Sequence, residues 1–134
     1  MMLRLLKNRG FAREARKQRL TDSLICVAAA EIEAGLFDAR LGGFFLKKRI
    51  ARSGQGKRGG FRSIVAYRQH ERLVFLFVFA KNEQENITRK EHLALLEIDH
   101  EYMQLTSRKF DELIVSGALI EVECDAKETE PNPR

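Results

Sequence analysis

The longest apolar run of the chain spans residues 73–80, with the sequence LVFLFVFA. A continuous run rich in aromatic and β-branched residues is typical of a strand that is buried on both faces. Two further strand patterns precede it at residues 44–52, where side chains alternate between two faces, and at residues 61–68. Short connections join the three strands, so we expect an antiparallel meander. The run at 73–80 should lie centrally in the sheet, with Phe77 inside the core.

Helical patterns precede this meander. A short apolar stretch at residues 3–6 predicts a first strand, and the following residues, from about 9 to 35, predict a helical hairpin. Thr21 is a suitable N-cap for the second helix, and Gly35 is a suitable residue for its end. Residues 35–43 are then expected to form a loop.

The chain after the meander is again helical. Thr88 and Glu91 form a T-x-x-E capping box, which predicts a helix reaching about residue 105 with Leu93 among its inward residues. A shorter helix at 107–116 and a short strand at 119–122 should follow. The order predicts an α+β fold: a small antiparallel β-sheet flanked by an N-terminal helical hairpin and C-terminal helices. Further inward positions expected on these two helices are Leu96, Tyr102, Met103, Phe110, Leu113 and Ile114.

The length of 134 residues fits one domain, which we place at residues 1–122, followed by an acidic, flexible tail at 123–134. The start of the chain is basic and lacks the apolar segment of a signal peptide, and no run is long enough for a transmembrane helix. Cys26 and Cys124 stand far apart without a CxxC motif, which argues against a zinc ribbon or a disulfide scaffold. These features predict a cytoplasmic protein without membrane contact.

Charge is distributed unevenly along the chain. Residues 1–72 carry 17 Lys and Arg and 6 Asp and Glu, a net charge of +11, whereas residues 73–134 carry a net charge of −6. A basic half of this kind indicates a polyanionic partner, most plausibly nucleic acid, although a solvated basic surface is the plain alternative.

The excess of positive charge is densest at residues 44–72, which hold 9 Lys and Arg and one acid. Cations that converge on one sheet face can hold a phosphate backbone. Lys47 and Arg49 should share a strand face, whereas Lys48 falls between the apolar Leu46 and Ile50 on the other face. The RNA-binding candidates of this stripe are Lys47, Arg49, Arg52, Arg58 and Arg68.

Other chemical patterns are weak. The glycine-rich segment 54–60 lacks the Lys-Ser/Thr pair of a Walker sequence and leads into a strand, so we interpret it as a connection. The histidines His70, His92 and His100 are scattered and indicate no metal site.

Three segments together resemble the RelE-like toxins of type II toxin–antitoxin systems, most closely the HigB-type branch. They are Leu46-Lys47-Lys48-Arg49-Ile50-Ala51-Arg52, Gly54-Gln55-Gly56-Lys57-Arg58-Gly59-Gly60-Phe61-Arg62 and Phe77-Val78-Phe79-Ala80-Lys81-Asn82-Glu83. The resemblance covers most of residues 1–122 and implies a small antiparallel sheet flanked by helices.

The resemblance also implies an activity and partners. Such toxins bind in the ribosomal A site and cut mRNA through attack of an RNA 2′-OH on the adjacent phosphate, without a metal or other cofactor. Carried over by position, Arg62 would stabilise the transition-state phosphate, and Lys57 or Lys81 would serve as general acid or base. The family further implies a cognate antitoxin, typically a small helix-turn-helix protein.

Two other functions compete with the mRNA endoribonuclease. A non-enzymatic toxin that inhibits DNA gyrase, as in the related ParE branch, would not need the basic residues. A non-catalytic nucleic-acid-binding regulator would need a basic recognition helix, but the segment 22–34 contains three acids and no Lys or Arg.

Overall fold

The computed structural model describes residues 3–52, 56–80, 88–102 and 106–124, with the backbone alone at residues 52, 56–59, 95–96 and 98–102. It confirms the predicted α+β architecture with its N-terminal helical hairpin and C-terminal helices. The elements in chain order are β1 (Arg4–Asn8), α1 (Arg9–Lys17), α2 (Asp22–Glu33), β2 (Ala39–Gly42), β3 (Phe45–Arg52), β4 (Gly56–Arg68), β5 (Arg72–Ala80), α3 (Arg89–Tyr102), α4 (Ser107–Ser116) and β6 (Leu119–Glu121).

The strands form one sheet in the order β2-β3-β4-β5-β1-β6. The predicted meander β3-β4-β5 is antiparallel throughout. The sheet also contains one parallel pair, because β1 lies beside β5 with Leu5 opposite Leu73. Local sequence patterns carry no information on this pairing, since the two strands are separated by most of the chain.

The helical hairpin covers one face of the sheet, which we call the hairpin face. Phe11 of α1 packs on Phe75 of β5 with ring centroids 5.3 Å apart. The side chain of Asn8 accepts a hydrogen bond from the Phe11 N–H and caps α1, and Thr21 caps α2 as predicted. Gly35 follows α2 with a φ of +87°, which favours glycine and confirms the predicted helix end.

The other face packs against α4, and we call it the α4 face. Phe110 of α4 is fully buried there, and Gly117 ends the helix with a φ of +83°. The capping box of α3 is present, because the Thr88 N–H donates to Glu91 Oε1 at 2.7 Å and the Glu91 N–H donates to Thr88 Oγ1 at 3.1 Å. The inward placement of Leu93 is wrong, since this side chain is 55% exposed.

A β-bulge in β5 corrects the predicted alternation of the central strand. Ile64 lies opposite Phe77, but the next residue, Val65, lies opposite Phe75, so Leu76 is an extra residue. Leu76 and Phe77 therefore both contribute to the α4 face, while Phe75 belongs to the hairpin face. Phe77 is half-buried rather than enclosed.

Two predicted loops are partly strands. The segment 35–43 contains β2, which pairs with β3 at the sheet edge. The glycine-rich connection predicted at 53–60 is shorter, because β4 begins at Gly56, which pairs with Arg52. Glycine has low strand propensity, but hydrogen bonding to β3 overrides this local preference. Residues 53–55 lie outside the described part.

Cys26 and Cys124 form a disulfide, which the sequence analysis argued against. Their Cα atoms are 5.8 Å apart although 98 positions separate them in sequence. The reason is topological: β6 pairs with β1, and the residues that follow β6 pass beside α2. Residues 125–134 of the predicted tail lie outside the described residues. Among the described helices, none is both long and apolar enough to cross a bilayer.

The disulfide should contribute strongly to stability, because it closes a long loop. In the chain-entropy account, a loop of this size corresponds to about 4–5 kcal/mol of unfolding free energy. We expect dithiothreitol to lower the denaturant midpoint of the wild-type protein. The double variant Cys26→Ala/Cys124→Ala should not respond to the reductant. An unchanged wild-type midpoint would show that the cysteines are not bonded in solution.

The bulge predicts a difference between two phenylalanines of β5. Phe75→Ala should lower the unfolding free energy by about 3–5 kcal/mol, because Phe75 is fully buried against Phe11. Phe77→Ala should lower it by about 1–2 kcal/mol, because this side chain is only half-buried. Urea denaturation followed by circular dichroism measures both. Equal losses would argue against the bulge.

Candidate nucleic-acid interface

Three neighbouring strands place two arginines and a phenylalanine in one row across the sheet. Arg49 of β3 lies directly opposite Arg62 of β4, and Arg62 lies opposite Phe79 of β5. Phe79 belongs to the α4 face, so the row lies on that face. Lys47 lies opposite Ile64 on the same face, two positions along β3. The register therefore places Lys47, Arg49 and Arg62 on one face of the sheet.

Arg62 is the most unusual cation of this row. Its residue is only 5% exposed, and its Nη1 atom is buried without a hydrogen-bond partner. Among the described residues, no carboxylate forms an ion pair with it. A buried charge without a partner is strongly unfavourable, and buried polar groups in folded proteins nearly always have partners. The arrangement is therefore typical of a site that an anionic ligand completes.

Arg49 is exposed and is held at the edge of the same row by Asp38. The carboxylate of Asp38 accepts a hydrogen bond from the Arg49 N–H at 2.6 Å and lies 3.5 Å from Arg49 Nε. The Asp38 N–H in turn donates to the Lys47 carbonyl at 2.9 Å. Like charges directly opposite each other in a sheet repel. Asp38 offsets part of the repulsion between Arg49 and Arg62 while leaving Arg62 itself unpaired.

The reverse side of β3 is anchored by a buried ion pair. Lys48 points to the hairpin face, where its Nζ lies 2.9 Å from Glu31 Oε1 of α2 and donates to the Leu36 carbonyl at 2.8 Å. Both charged side chains are nearly inaccessible, at 4% and 1% exposure. Ser63 Oγ donates to the Lys48 carbonyl at 2.8 Å and ties β4 to β3 at this position. Lys48 and Ser63, which share this hydrogen bond, thus lie next to Arg49 and Arg62 in sequence.

Glu31 has a role that sequence reasoning missed. In the sequence alone, Glu31 is one of three acids that make residues 22–34 a poor DNA-recognition helix. A signal was present, because Glu31 sits on the apolar side of the α2 pattern beside Ala28 and Ile32, where an acid requires a buried cation. Lys48, between Leu46 and Ile50, is the matching cation.

The remaining site candidates have different placements. Arg52 ends β3, and Lys57 and Arg58 lie in the first part of β4; for these three residues only the backbone is described. Lys81 lies outside the described residues. Arg68 lies at the opposite end of β4, six residues from Arg62, which corresponds to about 20 Å along a strand. The structure does not bring Arg68 together with Arg62.

Arg68 belongs to a second arginine row, formed with Arg72 of β5 and Arg4 of β1. Each of the three is already engaged: Arg68 forms an ion pair with Glu71, Arg4 contacts Asp111 at 2.9 Å, and the Arg72 guanidinium lies 4.1 Å from the centroid of the Phe110 ring. Burial lowers the pKa of Arg72. Arg4 and Arg72 of this row hold α4 against the sheet.

The geometry of the Arg49–Arg62 row suits electrostatic stabilisation of a phosphate. Guanidinium groups can donate two parallel hydrogen bonds to phosphate oxygens, and partial burial strengthens such interactions. Within the described residues, no cluster of potential metal ligands is present. Tyr67 lies on the hairpin face, and desolvation, followed by the charge of Glu33, raises its pKa, so its phenol stays protonated near neutral pH.

Fold and site define a small α+β protein whose mixed sheet carries a cationic row on its α4 face. The chain matches the family described as RelE toxin of the RelE/RelB toxin–antitoxin system over residues 3–122. It therefore belongs to the RelE toxin family and is the toxin of a toxin–antitoxin system, whose partner is an antitoxin. Comparison with individually curated proteins gives no match.

Because Lys47 and Lys48 lie on different faces of β3, their substitution should have different effects on stability and on RNA binding. Lys48→Ala leaves Glu31 buried without a counter-charge and should lower the unfolding free energy by about 3–5 kcal/mol. Lys47→Ala should change it by less than about 1 kcal/mol while weakening RNA binding, because Lys47 is on the site face. Urea denaturation and filter binding to RNA measure these effects.

A double variant provides the control for the ion pair. Glu31→Leu/Lys48→Met removes both charges and should recover most of the stability lost in Lys48→Ala. Equal, small effects of Lys47→Ala and Lys48→Ala on stability and binding would contradict the assigned faces.

Proposed function

We propose that this toxin is a ribosome-dependent mRNA endoribonuclease that inhibits translation, of the HigB type. The observation that carries the proposal is the buried Arg62 guanidinium, whose Nη1 has no partner among the described residues and which lies beside Arg49. A scissile phosphate supplies the negative charge and the hydrogen-bond acceptors that this arrangement lacks. The match to the RelE family supports the same chemistry.

The reaction requires no metal. The RNA 2′-oxygen attacks the adjacent phosphorus and loses its proton to a base, while the bond to the 5′-oxygen breaks and that oxygen takes up a proton. The products are a 2′,3′-cyclic phosphate and a free 5′-hydroxyl. Negative charge on the non-bridging oxygens is greatest in the transition state, and preorganised donors there lower the barrier. Arg62 supplies such donors, and Arg49 assists from the neighbouring strand.

Other basic residues take supporting roles in this proposal. Lys57 and Lys81 are the candidates for general acid or base, a role that requires neighbouring cations to lower the pKa of the lysine. Lys47, Arg52 and Arg58 hold the RNA backbone, and Arg68 contacts it farther along. The substrate is mRNA on the ribosome, the antitoxin is a helix-turn-helix protein, and the toxin acts in the cytoplasm without a cofactor.

The structure gives less support to the alternatives. An inhibitor of DNA gyrase has no use for a buried, unpartnered arginine on a sheet face. A helix-turn-helix regulator would use α2 as its recognition helix, but α2 contains no Lys or Arg and is packed against the sheet along most of its length.

Substitution of Arg62 tests the proposal. Arg62→Ala should lower the rate of mRNA cleavage on purified ribosomes ~10²–10³-fold, the effect of removing one transition-state donor. Arg62→Lys should restore only part of the rate, because a point charge does not replace the planar fork. Circular dichroism verifies folding, and Arg108→Ala, which removes an exposed arginine from α4, is the control.

The outcomes of these assays test the role of Arg62 and separate the three candidate functions. A folded Arg62→Ala protein that cleaves at the wild-type rate would remove Arg62 from the site. Wild-type growth arrest in the absence of antitoxin but without mRNA cleavage would favour the gyrase-inhibiting toxin. Growth without arrest and without cleavage would favour the regulator.

A further inference from the structure

Asp38, the residue directly before β2, is an acid beside a cationic site. Within the described residues, it is the only carboxylate that forms an ion pair with an arginine of the Arg49–Arg62 row. The proposed function places an RNA phosphate at this row, and a carboxylate repels a phosphate. The presence of a negative charge at this position therefore needs an explanation.

Two contacts hold Arg49 against Asp38. Asp38 Oδ2 accepts the hydrogen bond of the Arg49 backbone N–H at 2.6 Å, and Asp38 Oδ1 lies 3.5 Å from Arg49 Nε. Asp38 is itself fixed to the same strand, because its N–H donates to the Lys47 carbonyl at 2.9 Å. In the described part of the chain, neither Nη atom of Arg49 has a hydrogen bond or an ion pair. Asp38 therefore restrains the Arg49 side chain while both Nη groups stay open to an anion.

Stability does not account for the pair of Asp38 and Arg49. Their side chains are 32% and 44% exposed, and ion pairs at such exposure contribute little to the free energy of unfolding. The orientation of Arg49, in contrast, depends on the pair. Arg49 lies directly opposite Arg62, and like charges at such positions repel each other, so an exposed arginine without a counter-charge would turn into the solvent. Asp38 supplies the counter-charge that keeps Arg49 beside Arg62.

The position of Asp38 has opposite consequences for RNA affinity and for the reaction. A negative charge beside the site weakens the binding of a phosphate backbone, which depends on cations. The reaction depends on donors that are already oriented when charge develops on the phosphate. An interaction raises kcat only if it favours the transition state more than the bound substrate. Ordering of Arg49 acts on the reaction, whereas the charge of Asp38 acts on affinity.

We propose that Asp38 is a positioning residue of the cleavage site. It holds Arg49 so that the guanidinium groups of Arg49 and Arg62 act together on one phosphodiester, and it thereby raises the cleavage rate while it lowers RNA affinity. Asp38 itself neither contacts the reacting atoms nor exchanges a proton with them. This inference rests on the proposed function and adds to it an acid that acts only through Arg49.

Steady-state cleavage of mRNA on purified ribosomes tests the proposal through kcat and KM. Asp38→Asn removes the charge but keeps a side-chain oxygen that can accept from the Arg49 N–H. It should lower kcat ~10–10²-fold, the effect of a misplaced donor, and lower KM ~2–3-fold, because one repelling charge near the phosphate is lost. Asp38→Glu keeps the charge and moves it by one methylene, so it should lower kcat less than Asp38→Asn does and leave KM unchanged.

Asp22→Asn is the matched control. It makes the same substitution at the start of α2, where Asp22 forms an ion pair with Lys7 at 2.8 Å, and it should leave both kcat and KM unchanged. Circular dichroism and urea denaturation verify the folding of each variant. A merely structural defect reduces the fraction of active protein, which lowers kcat without lowering KM. If Asp38→Asn does not fold, Asp38→Glu provides the comparison of kcat with the wild type.

Removal of Arg49 shows whether Asp38 acts through it. Arg49→Ala should lower kcat, and Asp38→Asn/Arg49→Ala should lower it no further, because both substitutions disrupt the same interacting pair. If Asp38→Asn lowers kcat by the same factor in the presence and in the absence of Arg49, Asp38 acts on the reaction directly or on the fold, and the proposal is overturned.

The remaining outcomes separate this inference from the proposed function. If Asp38→Asn leaves kcat unchanged, whatever its effect on KM, Asp38 does not position Arg49. If Arg49→Ala cleaves at the wild-type rate while Arg62→Ala is impaired, the endoribonuclease stands and the positioning role is wrong. If the wild type does not cleave mRNA, the proposed function fails, and the inference fails with it.

Discussion

The alternation of side chains along β3 is the constraint on which the site depends. Three consecutive cations, Lys47, Lys48 and Arg49, would repel one another in solution, but the pleat sends the middle one into the core and the outer two to the opposite face. In the core, the Lys48 side chain pairs with Glu31 and donates to the Leu36 carbonyl. Ser63 Oγ donates to the backbone carbonyl of Lys48. A shift of register by one residue would bury two charges and expose Leu46 and Ile50. The ion pair thus selects the register that places Arg49 opposite Arg62.

The site follows from this register together with a balance of charge. Asp38 neutralises Arg49 at the sheet edge, and Phe79 closes the other side of Arg62 within the same row. Between them, Arg62 remains as a buried donor whose Nη1 finds no acceptor in the described structure. Burying this unpartnered group lowers the free energy of unfolding. The fully buried aromatic core and the Cys26–Cys124 bond offset that loss.

Much of the fold could be predicted from local patterns. Thr21, Thr88 and Gly35 mark helix ends through hydrogen bonds and backbone angles that involve only neighbouring residues, so their sequence signals are direct. The bulge at Leu76 and the parallel pairing of β1 with β5 depend on distant partners and leave no local trace. The same distinction applies to the site. The alternation in β3 separated Lys47 and Arg49 from Lys48, whereas the pairing of Lys48 with Glu31 and the bond between Cys26 and Cys124 required the tertiary structure.

The position of β1 has a consequence for the order of folding. This strand is synthesised first, yet its two neighbours in the sheet, β5 and β6, come from the second half of the chain. The central part of the sheet can form earlier, but β1 can complete its pairing only after β6 has been synthesised. Contacts between such distant segments form slowly. A ribosome that synthesises this toxin has therefore almost finished translating it before the nascent chain can assume its complete fold.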